Sequence, residues 1–227
     1  MPSLIQSKDR KTSVDVVFDH LQKAITTLEL LPGDKISEAD IAAQFGVSRQ
    51  PVRDAFSRLQ NLDLLVIRPQ KATEVKRFSL REVTKSRFVR SSVEAEVLRR
   101  ASRLATPADG KVLEGHLAKQ AAVVEKGDYE AFGKLDYEFH QELCRIGGVE
   151  FAFEVIAVEK ASVDRLCLLS ISKEDRMPQL LEDHRAIADC VKAGDEEGAV
   201  KAGMLHLSRL DATIEAIFER NPDYFDT

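Results

Sequence analysis

Apolar residues recur at helical spacing from Leu80 to the end of the chain, and this pattern constrains the fold more than any other feature. No stretch of this region shows the two-residue alternation that a half-buried strand requires. The helical pattern is interrupted where helix-ending and helix-starting residues cluster. These interruptions are Thr106-Pro107, Gly127-Asp128, Gly147-Gly148, Met177-Pro178 and Gly194-Asp195. The sequence therefore predicts about six helices that pack as an all-α bundle.

Four polar residues fall on the apolar faces of these predicted helices. Asp136 and His140 are four residues apart, so they share one helical face with apolar neighbours such as Phe139. His184 is in register with the apolar residues of its own helix, and His206 shares a face with alanines and a leucine. Burial of such groups is costly unless they find partners. We therefore expect the four side chains to point into the bundle.

These four residues have more than one interpretation. Asp136 and His140 could form a simple intrahelical pair, and a single inward histidine is often a hydrogen-bonded core residue. Three inward histidines and an aspartate in one small bundle instead favour a shared divalent metal, because one cation satisfies all four groups. Nitrogen and oxygen ligands suit zinc, the expected ion, and also nickel, iron or manganese. Such a metal could bind an effector or only hold the helices together.

Three shorter helices are predicted before residue 64. Apolar residues at three- and four-residue steps between Val14 and Leu28 form the first helix, which Pro32-Gly33 ends. The segment Ser37–Asp40 is typical of a capping box at the start of the second helix, and Gly46 ends that helix. Ser48 is expected to cap the third. Two short helices that meet across a glycine-containing turn indicate a helix-turn-helix.

The start of the third helix carries side chains suited to DNA. Arg49 and Arg53 offer donor forks to guanine or phosphate, and Gln50 can pair with adenine. The Ser48 hydroxyl, at a helix N-terminus, suits a phosphate. The alternative interpretation is an ordinary solvated helical face.

A basic hairpin is predicted directly after the third helix, and it favours the DNA-binding interpretation. Residues 64–68 and 73–77 have the character of two short strands around a turn. The hairpin carries the basic residues Arg68, Lys71, Lys76 and Arg77. The N-terminal region is therefore predicted to be a winged helix-turn-helix, with three helices plus a two-stranded wing.

The same region resembles the GntR family of bacterial regulators. The stretches Leu31–Glu38, Phe45–Arg49 and Pro51–Ala55 follow the family signature nearly position by position. The resemblance implies DNA contacts at Ser48, Arg49, Gln50 and Arg53, with Lys71 at the tip of the wing. This sequence departs from the family pattern at Ala39, where many members carry Arg or Gln, and at Ala72, which replaces a usual wing glycine.

The second region resembles the FCD ligand-binding domain of the FadR subfamily of GntR regulators. The resemblance rests on Asp136–His140, Glu182–Ile187, Gly194-Asp195 and His206-Leu207. In that family, the positions of Asp136, His140, His184 and His206 coordinate a divalent metal at the floor of an effector pocket. Arg90 matches a family arginine that commonly contacts the carboxylate of the effector; the alternative interpretation is an ordinary exposed helical arginine. The asparagine that usually follows the glycine pair is missing after Gly148.

The chain is therefore predicted to contain two domains, a DNA-binding domain over 1–78 and a metal- and effector-binding domain over 79–227. The net charge of the whole chain is −5, but its sign differs between the two parts. The first 78 residues carry 12 Lys and Arg against 10 Asp and Glu, whereas the remainder carries 21 against 28. Only the first part has the positive charge that a polyanion attracts.

The predicted function is that of a transcription repressor. A small carboxylate effector is expected to change the affinity of a homodimer for a palindromic operator, because one recognition helix reads only a few base pairs. The alternative is a metal-dependent hydrolase or dioxygenase that uses the Asp and His cluster. We do not expect an enzyme, because the sequence has no His-Glu-x-x-His, Gly-x-Ser-x-Gly or phosphate-loop pattern.

Two further expectations concern location and cysteines. No run of eighteen uncharged apolar residues is present, and the polar start from Met1 to Lys11 lacks the apolar core of a signal peptide. A cytoplasmic protein that does not enter the membrane is therefore expected. The widely spaced Cys144, Cys167 and Cys190 are expected to be buried thiols rather than disulfides.

Overall fold

The computed structural model describes residues 11–170 and 174–226 of the chain. These residues form two compact units. The chain passes from the first unit to the second after Ser79 and back to the first after Arg220. The predicted domains also included residues 1–10, 171–173 and 227, which lie outside the described residues.

The first unit consists of residues 11–79 together with 221–226, and the second of the described residues between Leu80 and Arg220. The predicted second domain instead ran to residue 227. The difference arises because the end of the chain forms backbone hydrogen bonds with Phe78 in the first unit.

The first unit has the three helices and the antiparallel hairpin expected of a winged helix-turn-helix. A short strand before the second helix, which the sequence analysis missed, adds a third strand to the sheet. In chain order the elements are α1 (Ser13–Thr26), β1 (Lys35–Ile36), α2 (Glu38–Phe45), α3 (Arg49–Asn61), β2 (Leu65–Val66) and β3 (Thr73–Val75). The strand order is β1-β3-β2, with Lys35 opposite Glu74 and Leu65 opposite Val75.

Local capping explains where these helices begin and end. Thr12 and Asp15 form a reciprocal capping box at the start of α1. At α2, the Ser37 hydroxyl accepts hydrogen bonds from the amides of Ala39 and Asp40. The return bond from the Ser37 amide to the Asp40 carboxylate, which a full capping box requires, is not formed in the described part of the chain. Gly46 ends α2 in the left-handed region, at a φ of 63°.

The core of the first unit lies between α1, α3 and the sheet. Val17, Val52, Phe56, Leu59 and Val75 are almost completely removed from solvent. Their burial supplies the main stabilising free energy, about 1.5–3 kcal/mol for each large side chain. This packing leaves the start of α3 on the surface.

The second unit is an all-α bundle, which confirms the predicted fold class. Its helices are α4 (Leu80–Leu104), α5 (Pro107–Val124), α6 (Tyr129–Ile146), α7 (Ala152–Cys167), α8 (Met177–Ala193), α9 (Glu196–Ser208) and α10 (Asp211–Arg220). A single 3-10 turn, Glu174–Arg176, precedes α8. The helices begin and end close to the predicted interruptions; for example, Thr106 forms a capping box at the start of α5.

The long helix α4 packs against α6, α7, α8 and α9. The apolar core between them is continuous. Its largest buried members include Leu98, Leu113, Phe139, Leu143, Ile156 and Ile187. The inward faces of α6, α8 and α9 therefore meet inside the bundle, where polar residues on those faces are far from water.

The remaining expectations concern the state of the cysteines and the absence of a membrane-spanning helix. Cys144 and Cys167 are buried and Cys190 is half-buried, and all three thiols are free. None of the helices in the described residues combines the length and the apolar content that a membrane crossing needs.

The C-terminal segment returns to the first unit after α10. The Phe78 amide donates to the Tyr224 carbonyl and the Asp226 amide donates to the Phe78 carbonyl, both at 2.8 Å. The rings of Phe78 and Phe225 are in contact, with centroids 5.7 Å apart. Both rings are buried, so this segment completes the apolar packing of the unit.

We expect Phe225→Ala to destabilise the first unit by about 3–5 kcal/mol, because it removes a buried aromatic ring. The measurement is urea-dependent hydrogen exchange at the amides of α1 and α3. Asp226→Ala is the control, because the Asp226 side chain is exposed and its backbone bond is retained. Equal exchange in both variants would contradict a structural role of the Phe225 ring.

Candidate metal centre and DNA-reading surface

The residues predicted to contact DNA lie on the surface of the first unit. Ser48, Arg49, Gln50 and Arg53 are exposed around the start of α3, and Lys71 is exposed in the turn between β2 and β3. Ser48 occupies the N-cap position of α3, but its hydroxyl makes no capping hydrogen bond within the described residues. The expected cap is therefore absent, and the hydroxyl remains available to a ligand at the helix N-terminus.

Two of the side chains predicted to contact DNA are held by acidic neighbours that the sequence did not single out. Arg53 donates from Nε to Glu38 Oε1 at 3.3 Å and from Nη2 to Glu38 Oε2 at 3.0 Å. Gln50 donates from Nε2 to Asp54 Oδ1 at 2.9 Å. Only the second pair, four residues apart on one helix, could have been anticipated from spacing.

The basic residues of the wing fall into two groups. Lys76 forms an ion pair with Asp63, and Arg77 Nε donates to Glu74 at 3.1 Å. Arg68 and Lys71 are exposed and have no ion pair within the described residues. The tip of the hairpin therefore carries the cations that a phosphate can reach, whereas those at its base are already neutralised.

The four predicted metal ligands come together inside the second unit. Asp136 and His140 project from α6, His184 from α8 and His206 from α9, and all four are buried. One potential ligand atom from each lies within 4.8 Å of the others. The three imidazole rings are in mutual contact, with centroids 4.7 to 5.6 Å apart.

His140 is held by a buried ion pair on α4. Its Nδ1 lies 3.2 Å from Glu94 Oε2, and Arg90 Nε donates to the other oxygen of Glu94 at 2.8 Å. Burial alone raises the pKa of Glu94, but the nearby charges of Arg90 and His140 outweigh it and lower the pKa to about 2. Glu94 is therefore ionised and fixes one nitrogen of His140.

His184 is held by a buried amide from α5. Its Nδ1 lies 2.8 Å from Gln120 Oε1, while Gln120 Nε2 donates to the Leu135 carbonyl at 3.2 Å. This second bond sets the amide orientation, so Nδ1 must carry the hydrogen and Nε2 the lone pair. Burial lowers the pKa of His184 to about 4, despite the opposing interaction with Asp136. His184 is therefore neutral at pH 7, the form that binds a metal.

His206 has a longer contact. Its Nδ1 lies 3.8 Å from Asp183 Oδ2, beyond hydrogen-bond range, and Arg209 donates to both oxygens of Asp183 at 3.3 Å. Burial lowers the pKa of His206, against the opposing interaction with Asp183. All three imidazoles thus have a polar group from a neighbouring residue behind them, as metal-binding histidines generally do.

Asp136 is paired with a buried lysine that the sequence analysis missed. Lys160 Nζ lies 3.0 Å from Asp136 Oδ2 and 2.6 Å from Asp164 Oδ2. Burial alone raises the pKa of Asp136, but the charge of Lys160 and the interactions with His184 and His140 outweigh it and hold the pKa well below its usual value. The carboxylate therefore carries its negative charge, with Oδ1 only 3.3 Å from His184 Nε2.

The polar residues behind the ligands have weak sequence signals. Gln120 and Lys160 are polar positions on otherwise apolar helical faces, because they are in register with Leu113 and Ile156, respectively. Asp183 directly precedes His184. Periodicity can therefore flag such residues, but it cannot tell which buried group each one meets.

The atoms of the cluster themselves indicate that it can bind a divalent metal. His140 Nε2 and His184 Nε2 are buried without a hydrogen-bond partner among the described residues, a costly state that a shared cation would relieve. One potential ligand atom of each residue lies within 4.8 Å of the others, so Asp136, His140, His184 and His206 are the residues that would hold the ion.

Arg90 is not the exposed helical arginine of the alternative interpretation, because it is buried against Glu94 and only 3% exposed. A small cavity lies between Glu94, His140 and apolar side chains of the bundle core, with room for about one water molecule. The predicted effector contact at Arg90 therefore lies beside the cluster, where an incoming ligand must displace packed side chains.

Comparison with known proteins identifies both units. Residues 14–75 match the family described as bacterial regulatory proteins, gntR family, and residues 87–209 match the FCD domain. An Escherichia coli K12 protein named HTH-type transcriptional repressor RspR is 32% identical over 209 residues, which cover 92% of each chain. The Bacillus subtilis HTH-type transcriptional regulator LutR is 29% identical and is covered over 97% of its length, against 85% of this chain.

Solved structures agree with the fold. The structure of E. coli McbR/YncC is similar, with a TM-score of 0.67, 22% sequence identity, and coverage of 92% of this chain and 100% of that one. The matched families and the named relatives are transcription regulators rather than enzymes. The chain belongs to the GntR family of bacterial transcription regulators, with an N-terminal DNA-binding helix-turn-helix and a C-terminal FCD domain.

Proposed function

We propose that the chain is a repressor whose operator affinity is controlled by a small organic acid bound at a divalent metal in the FCD domain. The observation that carries this proposal is the buried cluster of Asp136, His140, His184 and His206, whose ligand atoms lie within 4.8 Å of one another. Two of the imidazole nitrogens in it, His140 Nε2 and His184 Nε2, have no hydrogen-bond partner among the described residues. When bound, the metal supplies a Lewis-acid position to which a carboxylate can coordinate. Zinc is the expected ion, and nickel, iron or manganese suit the same donors.

The charges around the cluster support an anionic effector. The two buried cations, Arg90 and Lys160, are each balanced by a buried carboxylate, Glu94 and Asp136. A divalent ion adds two positive charges to this nearly neutral site. Buried charge without a counter-charge is unfavourable, so an acid gains more from entering than a neutral molecule does.

The small size of the cavity supports a coupling between effector binding and packing. It is lined by Glu94, His140 and apolar residues that belong to the core of the bundle. An acid larger than water can enter only if these side chains move, so it binds the packed and the opened arrangements unequally. A ligand with that difference in affinity shifts the population between the two arrangements.

A homodimer is part of the proposal because a palindromic operator needs two reading heads. An apolar stripe at the start of α7 supports self-association. It consists of the N-cap residue Phe151 with Val155 and Val158, which follow the i, i+4, i+7 spacing of one helical face. These side chains are 73%, 44% and 68% exposed, respectively. A second copy of the chain could cover this stripe. Operator binding also implies that the protein works in the cytoplasm, where the chromosome is.

A metal that only holds the helices together is the second candidate role, and it rests on the same cluster. The structural role and the sensing role predict different effects of metal removal on the affinity for the effector. If metal removal weakens the bundle but leaves effector affinity unchanged in the surviving fold, the metal is structural. Effector affinity that falls with metal content supports the sensing role.

We expect His206→Ala and Asp136→Ala to lower the metal content of the purified protein and to weaken the response to effector, while basal DNA binding is largely retained. Elemental analysis after native purification is the measurement. His116→Ala is the control, because His116 is in the same unit but outside the cluster. Full stoichiometric metal in both cluster variants would refute the site.

Gln120→Ala tests whether the orientation of His184 matters. The substitution leaves all four proposed ligands in place but removes the acceptor for His184 Nδ1, so we expect metal affinity to fall by about 10- to 100-fold. Competition with a chelator measures the affinity. Lys119→Ala, on the exposed side of α5, is the matched control. An unchanged affinity in Gln120→Ala would argue against this contact.

We expect Arg49→Ala to weaken binding to a duplex selected by the wild-type chain by about tenfold or more, because a forked contact to a base or phosphate contributes about 1–3 kcal/mol. Fluorescence anisotropy at physiological salt measures the loss. Lys134→Ala removes an exposed cation from the FCD domain and should leave affinity unchanged. If both variants bind equally well, α3 is not the reading helix.

A further inference from the structure

The strongest unassigned contact on the DNA-reading surface is the double hydrogen bond between Arg53 and Glu38. The two residues are fifteen positions apart and lie on different helices, with Glu38 at the first position of α2 and Arg53 in the second turn of α3. Both bonds come from one edge of the guanidinium, through Nε and Nη2. The contact therefore sets the direction of the arginine as well as compensating its charge.

We infer that Glu38 is a positioning residue that makes Arg53 selective for guanine. The inference rests on operator reading by α3, and it concerns a residue that does not itself need to touch DNA. Its physical basis is the number and direction of the guanidinium donors that remain when Glu38 is bound.

A guanidinium group has five N–H donors arranged in one plane. Glu38 accepts from Nε–H and from one hydrogen of Nη2, which form the lateral edge of the group. Three donors remain, and two of them, one on Nη1 and one on Nη2, form the fork at the end of the side chain. That fork matches the O6 and N7 acceptors of guanine in the major groove.

The pair also changes how Arg53 interacts with DNA of any sequence. A phosphate attracts an arginine through charge, and each cation that neutralises a phosphate steepens the salt dependence of binding. Glu38 offsets the charge of Arg53, so the attraction to a general phosphate is reduced. The directional bonds to a guanine edge remain available, so Glu38 shifts the balance from sequence-independent to sequence-dependent binding.

The surroundings make Glu38 the residue that performs this role. The next residue, Ala39, has no hydrogen-bonding side chain, and the exposed carboxylate of Asp40 makes no ion pair within the described residues. The Glu38 side chain is 31% exposed and that of Arg53 is 57% exposed. The pair therefore lies at the surface with the end of the arginine open to a ligand.

The experiment is selection from a pool of random DNA duplexes with the full chain, followed by affinity measurements on the selected and on unrelated duplexes. Arg53→Ala identifies the position in each half-site at which Arg53 prefers guanine. We expect Glu38→Ala to bind DNA but to reduce that preference from about tenfold or more to about threefold or less. Preferences at the other positions should be retained, which a merely unfolded variant would not do.

Two more variants separate orientation from charge. Glu38→Gln keeps one acceptor oxygen and should retain an intermediate preference. Asp40→Asn removes the same charge two residues away and should keep the full preference, because Asp40 does not touch Arg53. With unrelated duplexes, Glu38→Ala should bind more tightly than wild type, and its log–log salt slope should steepen by up to about 0.9, the value for one additional phosphate contact.

Each alternative outcome is decisive. A full guanine preference in Glu38→Ala would overturn the inference while leaving operator reading intact. The same holds if Arg53→Ala loses no base preference, because Arg53 then reads no base. A wild-type chain that enriches no sequence would contradict operator reading itself, and the inference with it.

Discussion

The FCD domain depends on how three imidazoles and one carboxylate are accommodated in a nearly dry interior. Each outward contact uses one polar atom of a cluster residue: His140 meets Glu94, His184 meets Gln120 and Asp136 meets Lys160. On the other side of their rings, His140 Nε2 and His184 Nε2 have no hydrogen-bond partner in the described part of the chain. Such an arrangement is costly without an ion and favourable with one, so binding of the proposed metal would be linked to the packing of the bundle.

The residues of this centre come from six helices, α4 to α9, so the centre is in contact with most of the packed bundle. Arg90 and Glu94 belong to α4, Gln120 to α5 and Lys160 to α7, and the ligands come from α6, α8 and α9. A ligand that displaces any one of these side chains changes the environment of an imidazole as well as a helix–helix contact. Coupling of this kind needs no single pathway, because every helix of the core already contacts the same cluster.

Much of this organisation could be predicted from the sequence, and the remainder could not for two physical reasons. Helix positions followed from apolar periodicity and caps, and the convergence of Asp136, His140, His184 and His206 followed from their places on apolar faces. Strand β1 escaped prediction because two residues are too few to show an alternation. Glu38 and Lys160 were missed because their partners lie on other helices, and periodicity describes the face of a helix without describing what packs against it.

The DNA-binding domain reaches specificity with little net charge. Its first 78 residues carry an excess of only two positive charges, and Arg53, Lys76 and Arg77 are already paired with carboxylates. General attraction to phosphate is therefore modest, and Arg49, Arg68 and Lys71 are exposed cations that can contribute to it. When general attraction is weak, correctly oriented contacts to bases account for a larger share of the affinity. In the proposed dimer, a change in the separation of the two heads would then alter operator binding strongly, because little non-specific affinity would hold a misaligned dimer on DNA.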